Sequence, residues 1–172
     1  SLAQQVVELG AQDYLVKGTL TSAMVQRTVR HARERKRAER RLMQLAHYDQ
    51  LTGLANRGTF QERVTQALTR ARRRGNHFAV MYFDVDRFKS INDTHGHPAG
   101  DRALQTIAGS LAAAVREDDV VARIGGEEFA VLTTIGGPTD LSALAHRIGA
   151  LIRTTDPLLA DGSRISVTAS LG

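Results

Sequence analysis

Apolar residues change their spacing several times along this chain, and each change marks a new element. Residues 1–19 read as the end of a helix, a short apolar strand "DYLVKG" and a turn. From 21 to 47 there is neither Gly nor Pro, and Leu20, Met24, Val25, Val29, Ala32, Leu42, Leu45 and Ala46 recur at helical spacing. That stripe thins in the middle, which suits a long exposed helix or a dimeric coiled coil better than a core helix. Thr21 or Ser22 can cap its start.

After "YDQLTGLANR" a second helix is predicted over 57–74, closed by Gly75 and Asn76, with "RARRR" placing cations at the negative end of its dipole. "FAVMYFDVD" is an apolar, β-rich run with carboxylates only at its C-terminal end. A third helix is predicted over 100–115, two strands joined at glycines in "VVARIGGEEFAVLTT", a fourth helix over 139–154, and a last strand in "RISVTASLG". Helix, strand, helix, hairpin, helix, strand in this order predicts an α+β fold, a sheet covered by helices.

Composition narrows the class. With 172 residues the chain suits one domain with an appendage, and with no cysteine it forms neither disulfides nor thiolate metal sites. No apolar run reaches the roughly 18 residues of a membrane-spanning helix, and no signal peptide opens the chain, so a cytoplasmic protein without a membrane span is expected. The chain begins at Ser1 and stops inside a strand-like run, so it is expected to be cut from something longer. The net charge of +5 belongs to one segment: residues 27–41 carry eight Arg/Lys against Glu34 and Glu39, while the remainder holds 15 basic and 16 acidic residues. No aromatics interleave with these arginines to stack bases, so a solvated helix face is expected and no nucleic-acid partner.

The candidate chemistry is carboxylate chemistry. Asp84 and Asp86 stand two apart and would share one face of a strand. Glu127 falls where the hairpin turns, beside Gly125 and Gly126. If that strand lies beside the hairpin, Asp84 and Glu127 converge at one sheet edge. Two or three oxygen ligands without His or Cys suit Mg²⁺ or Mn²⁺, and Mg²⁺ so held is the usual partner of a nucleoside triphosphate. The glycines would serve the turn and leave no Cβ between the backbone and a ligand.

Taken together, "DQLTGLANR" at 49–57, "FDVDRFKSINDTHGHPAGD" at 83–101, "RIGGEEFAVL" at 123–132 and the final "ISVTASLG" resemble the ordered motifs of GGDEF-domain diguanylate cyclases, here in a GGEEF form. The similarity covers about residues 47–172. It implies a five-stranded antiparallel sheet wrapped by helices, palm-like and ferredoxin-like as in nucleotidyl cyclases, behind a long N-terminal stalk helix. The expected division is a receiver-like remnant over 1–19, where "ELGAQDYLVKG" is similar to the end of a response-regulator receiver, a stalk over 20–47, and a GGDEF domain over 48–172.

The resemblance implies two metal ions, Mg²⁺ or Mn²⁺, held by Asp84, the carbonyl of Val85 and Glu127. Glu127 would also help activate the attacking 3′-hydroxyl of GTP. Gly125 and Gly126 would let the nucleotide approach the backbone, and N–H groups around Arg87, Phe88 and Lys89 would receive the terminal phosphates. Asn92 and Asp101 match the guanine-reading pair; a carboxylate can accept from the N1–H and N2–H₂ edge that adenine lacks. Read alone, Asn92 would be a turn residue and Asp101 a helix N-cap. Asp86 is left between facing the metal and orienting the loop, and Glu128 between a structural and a helping role. His95 and His97 are expected in a loop, and Asp49, Asn56 and Arg57 are expected to position the stalk.

Arg116 and Asp119 in "REDD" match an inhibitory RxxD where cyclic di-GMP binds, with Arg147 similar to a secondary arginine that bridges to a neighbouring domain. The expected activity is condensation of two GTP to cyclic di-GMP and pyrophosphate by a homodimer paired through stalk and GGDEF domains. The alternative is a silent sensor of GTP or cyclic di-GMP. The family continues past "SLG" into a helix bearing Lys and Arg, so this chain by itself is expected to bind GTP poorly or not turn over.

Overall fold

The computed structural model describes residues 21–154, 156–159, 162 and 164–172. The receiver-like stretch expected over 1–19 lies outside the described residues. The chain divides into two compact units, one ending at Ala46 and one running from His47 to Gly172.

In the first unit, helix α1 spans Ser22–His47 and buries none of its residues. Thr21 is the cap: its hydroxyl accepts from the Met24 N–H at 3.2 Å. The predicted stripe is open, with Val25, Val29, Leu42 and Leu45 all exposed.

In the second unit, α2 spans Arg57–Arg74, as predicted. The Asn56 side chain accepts from the Thr59 N–H, and Gly75 closes the helix at φ 69° with its N–H on the Ala71 carbonyl. Strand β1 (His77–Val85) is followed by α3 (Phe88–His95) and α4 (His97–Ala114). The hairpin is β2 (Val120–Arg123) and β3 (Glu128–Ile135), then come α5 (Pro138–Thr154) and β4 (Ala169–Leu171). The strands are ordered β2-β3-β1-β4 and every pairing is antiparallel, which is the ferredoxin-like α+β arrangement.

Alternation assigns each sheet face its own layer. Met81, Phe83, Val85, Phe129 and Val131 pack with Leu104, Ile107 and Leu111 of α4 and Leu144, Ile148 and Ile152 of α5. On the opposite face Ala122, Ala130 and Leu132 meet Ala55 and Phe60, with Val64 and Ala67 of α2 against them. The central strand β3 is therefore buried on both sides from Phe129 to Thr133.

Three findings depart from expectation. The helix predicted over 100–115 is present as α4, but a second helix, α3, forms ahead of it where none is predicted, and the two meet at Gly96 (φ 81°, ψ 163°). "FKSINDTH" is poor in strong helix formers, but Phe88 and Ile91 pack onto the main core, and that tertiary contact decides the conformation. The last strand is shorter than its pattern: β1 ends at Val85, so residues before Ala169 have no strand beside them, although Ile165 and Val167 are buried in strand-like alternation. Among the described residues the sheet has four strands, where the resemblance implies five.

Candidate active site

The register of β1 on β3 builds the site. It runs from His77↔Ile135 to Asp84↔Glu128, so Asp84 stands directly opposite the first residue of β3. One step further the Val85 N–H donates to the Glu127 carbonyl at 3.2 Å. The backbones of Asp84, Val85 and Glu127 thus come together where β1 ends and β3 begins. Asp84 and Glu128 are exposed and Glu127 half-buried. Like charges directly opposite in a sheet repel, so this corner favours a cation.

The donors fit a hard ion. They are oxygens only, and among the described residues no three His, Cys, Asp or Glu side chains converge on one point. Two carboxylates and a carbonyl leave coordination positions for water and phosphate, which is the manner of Mg²⁺.

The hairpin turn is held differently from its expectation. Neither Gly125 nor Gly126 has a positive φ, so the turn does not require glycine for its dihedrals. A Cβ on Gly125 would meet only the far end of the exposed Glu128 side chain, and one on Gly126 would meet nothing, so packing inside the chain does not require the glycines either. Glu128 folds back over the turn, and its backbone carbonyl accepts from Ile124 N–H at 2.8 Å.

A residue that sequence reasoning passed over fixes this turn from outside. Arg123 donates through Nε and Nη2 to the Gly126 carbonyl at 3.2 and 2.7 Å. Its Nη1 reaches both oxygens of Asp49 at 3.1 and 3.3 Å, and Asp49 also accepts from the Thr52 N–H and hydroxyl. Burial pushes the Asp49 carboxyl up, but the Thr52 bonds and then Arg123 outweigh it and hold it below the ordinary range. Asp49 was expected to position the stalk; its observed partner is the signature hairpin. Asn56 caps α2.

Asp86 also has a settled partner. Thr168 donates to one of its oxygens at 2.7 Å and Ser170 to the other at 2.6 Å. These hydroxyls, Ser170 foremost, hold the Asp86 carboxyl below its usual value. Next in the chain, Arg87 takes a left-handed conformation (φ 56°, ψ 29°) and starts α3, with no side chain capping the first N–H groups of that helix. Such free N–H groups favour anions. Phe88 is half-buried in the core and Lys89 is exposed. A cavity of about 890 Å³ opens beside Asp84, lined among others by Arg87, Ser90, His95, Arg164 and Thr168.

Asn92 and Asp101 lie on α3 and α4, linked through Gly100. Gly100 is buried, and a Cβ there would run into the Asn92 amide and the Phe88 ring. The Asn92 Oδ1 is buried without a hydrogen-bond partner, whereas the Asp101 side chain is exposed. Asp101 is not an N-cap, because α4 begins at His97 and its cap is Gly96. Asn92 is inside a helix rather than in a turn. His95 and His97 end one helix and begin the next instead of lying in a loop.

Arg116 and Asp119 share a tight turn: the Arg116 N–H donates to the Asp119 carboxylate at 2.9 Å, and the Asp119 N–H to the Arg116 carbonyl at 3.1 Å. The Arg116 side chain stays exposed. Arg147 donates from Nε to the Ala114 carbonyl at 2.7 Å, which places it at the end of α4, near Arg116.

Comparison with known proteins bears on the family and the fold. The family profile described as "Diguanylate cyclase, GGDEF domain" matches residues 46–172. The cyclic di-GMP phosphodiesterase NbdA of Pseudomonas aeruginosa is 40% identical over 131 residues, covering 76% of this chain and 16% of the relative. The diguanylate cyclase TpbB of the same organism is 43% identical over 129 residues, covering 74% of this chain and 29% of the relative. The chain thus spans less than a third of either protein. The solved GGDEF domain of TpbB superposes with a TM-score of 0.70 at 42% identity, over 73% of each chain. The coiled coil and GGDEF domain of DgcB from Caulobacter crescentus, in complex with c-di-GMP, gives 0.75 at 25% identity, over 88% of this chain and 80% of that one.

Proposed function

This chain belongs to the GGDEF-domain family of diguanylate cyclases, and on that premise we propose that it condenses two GTP into cyclic di-GMP and pyrophosphate, each domain of a homodimer presenting one nucleotide. The observation that carries the reading is the register that sets Asp84 opposite Glu128 and one residue from the Val85–Glu127 bond.

Asp84, the Val85 carbonyl and Glu127 would hold the divalent ions. When bound, these would lower the pKa of the 3′-hydroxyl and neutralise charge that builds on the α-phosphate. Glu127 would also draw the proton from that hydroxyl. The 3′-oxygen of one GTP then bonds to the α-phosphorus of the other while pyrophosphate leaves, and a second such step closes the ring. Phe88 and Lys89 offer backbone N–H groups to the terminal phosphates. Asn92 and Asp101 read guanine; the unpartnered Asn92 Oδ1 supports this, since a buried acceptor costs free energy until a base N–H meets it. Gly126 leaves room for the nucleotide at the turn. Arg116 and Asp119, with Arg147 nearby, form the product-inhibition site, and α1 pairs the two chains.

The test is an assay of the intact protein with GTP and Mg²⁺, resolving products by chromatography. Cyclic di-GMP is expected from the wild type, with more than a hundredfold loss in Asp84→Ala and in Glu127→Ala while both variants stay folded. Bound nucleotide without product would replace the cyclase reading by that of a sensor.

A further inference from the structure

We propose that Asp86 is a positioning residue that latches the β1–α3 turn onto the β4 segment, and that it is not a metal ligand. This rests on the cyclase reading only for its functional consequence. The sequence places Asp86 on the same strand face as Asp84, but β1 ends at Val85 and Asp86 has already entered the turn. There it makes three bonds to one short stretch. Its N–H donates to the Thr168 carbonyl at 3.0 Å, and its two oxygens accept from the Thr168 and Ser170 hydroxyls. Those hydroxyls stand two apart, as alternation along one side of an extended chain requires, and they are two of the three hydroxyl residues of "ISVTASLG". With each carboxylate oxygen held by a hydroxyl of the same segment, the group is turned to β4 and not to a shared ion.

The next residue gives the latch its purpose. Arg87 is the only non-glycine with a positive φ among the described residues. A side chain in that region is disfavoured and persists only where its surroundings over-determine it. Asp86 fixes the chain on one side of Arg87, and the bond from the Ile91 N–H to the Arg87 carbonyl fixes it on the other. This bend turns the chain from β1 directly into α3, leaving Asp84 on the strand and the Phe88 and Lys89 N–H groups at the phosphates. Without the latch the carboxylate and the N–H groups would lose their fixed relation.

The experiment compares Asp86→Ala, the double variant Thr168→Val/Ser170→Ala, and the three combined, in the intact protein. Hydrogen exchange without ligand reads the latch: exchange at 86–89 and 168–170 should speed up alike in all three. Steady-state kinetics read its purpose: KM for GTP should rise about tenfold or more, as misplaced groups cost rate, while the Mg²⁺ concentration at half-maximal turnover stays within twofold of wild type. The triple variant should be no worse than Asp86→Ala, because coupled residues are not additive. A large rise in the Mg²⁺ requirement confined to Asp86→Ala would make Asp86 a ligand and overturn the proposal, as would unchanged exchange or additive losses. A wild type that makes no product and binds no GTP would instead sink the cyclase reading, and the functional half of the proposal with it, while exchange still reads the latch.

Discussion

Gly100 tests the proposed nucleotide site at the smallest scale. Alanine in a helix interior normally adds up to about 1 kcal/mol over glycine. Here a Cβ would strike the Asn92 amide and the Phe88 ring, both held between two helices. Gly100→Ala is therefore expected to lower stability by about 1–3 kcal/mol, the cost of overpacking, and to weaken GTP binding by displacing Asn92. Thermal unfolding and calorimetry with GTP check the two effects; a rise in Tm would mean that the site relaxes freely. Arg116 makes a second test at this scale. Its backbone is tied to Asp119 while its side chain remains exposed. Arg116→Ala should leave turnover without product intact and relieve inhibition by added cyclic di-GMP; unchanged inhibition would leave the RxxD as surface charge.

Between elements, the Asp49–Arg123–Gly126 link joins the turn ahead of α2 to the signature hairpin. Because the folded Asp49 carboxyl lies below its ordinary value, its contribution to stability is present at neutral pH. It is lost as pH falls below about 4 through the folded value. Asp49→Asn should thus lower Tm at pH 7 and narrow the gap to wild type as pH falls through that window. Parallel curves for the two proteins across pH would show that the ionised pair contributes nothing. Arg123→Ala removes the bonds to Asp49 and to the Gly126 carbonyl together, with an expected loss of about 1–3 kcal/mol. The hairpin carries its own signal in glycines and carboxylates. Arg123 carries none, since an arginine at a strand end reads as solvated until the fold puts Asp49 within reach.

For the molecule as a whole, the open question of assembly falls on α1. Its apolar residues Val25, Val29, Leu42 and Leu45 stand exposed along a helix in which no residue is buried. A second copy of the same stripe, paired as a coiled coil, would bury them. Leu42→Glu with Val29→Glu is expected to shift the intact protein toward monomer in light scattering and to lower turnover in proportion, because each product requires two nucleotides face to face. Full turnover from a monomer would refute the pairing.

The sequence by itself determined most elements and their order, and it put Asp84 at the end of a strand and Glu127 in the hairpin turn, though it misplaced Asp86 and Asp101. Periodicity and turn residues act over a few positions, so the span of α2 and its stop at Gly75 were legible in the sequence, while Asn56, expected to position the stalk, proves to be its N-cap. It did not determine that "FKSINDTH" is a helix, nor that β4 is short, because both depend on what lies beside them. The tertiary structure alone decided the register that opposes Asp84 to Glu128. It also decided the reach of Arg123 to Asp49 across 74 positions, and of Asp86 to Ser170 across 84. Asn92 could be matched to a guanine-reading role by resemblance, but its buried, unmatched oxygen exists only where α3 and α4 close around Gly100. Local pattern fixes which residue sits on which element; only packing brings distant polar atoms to bonding distance or strands one without a partner.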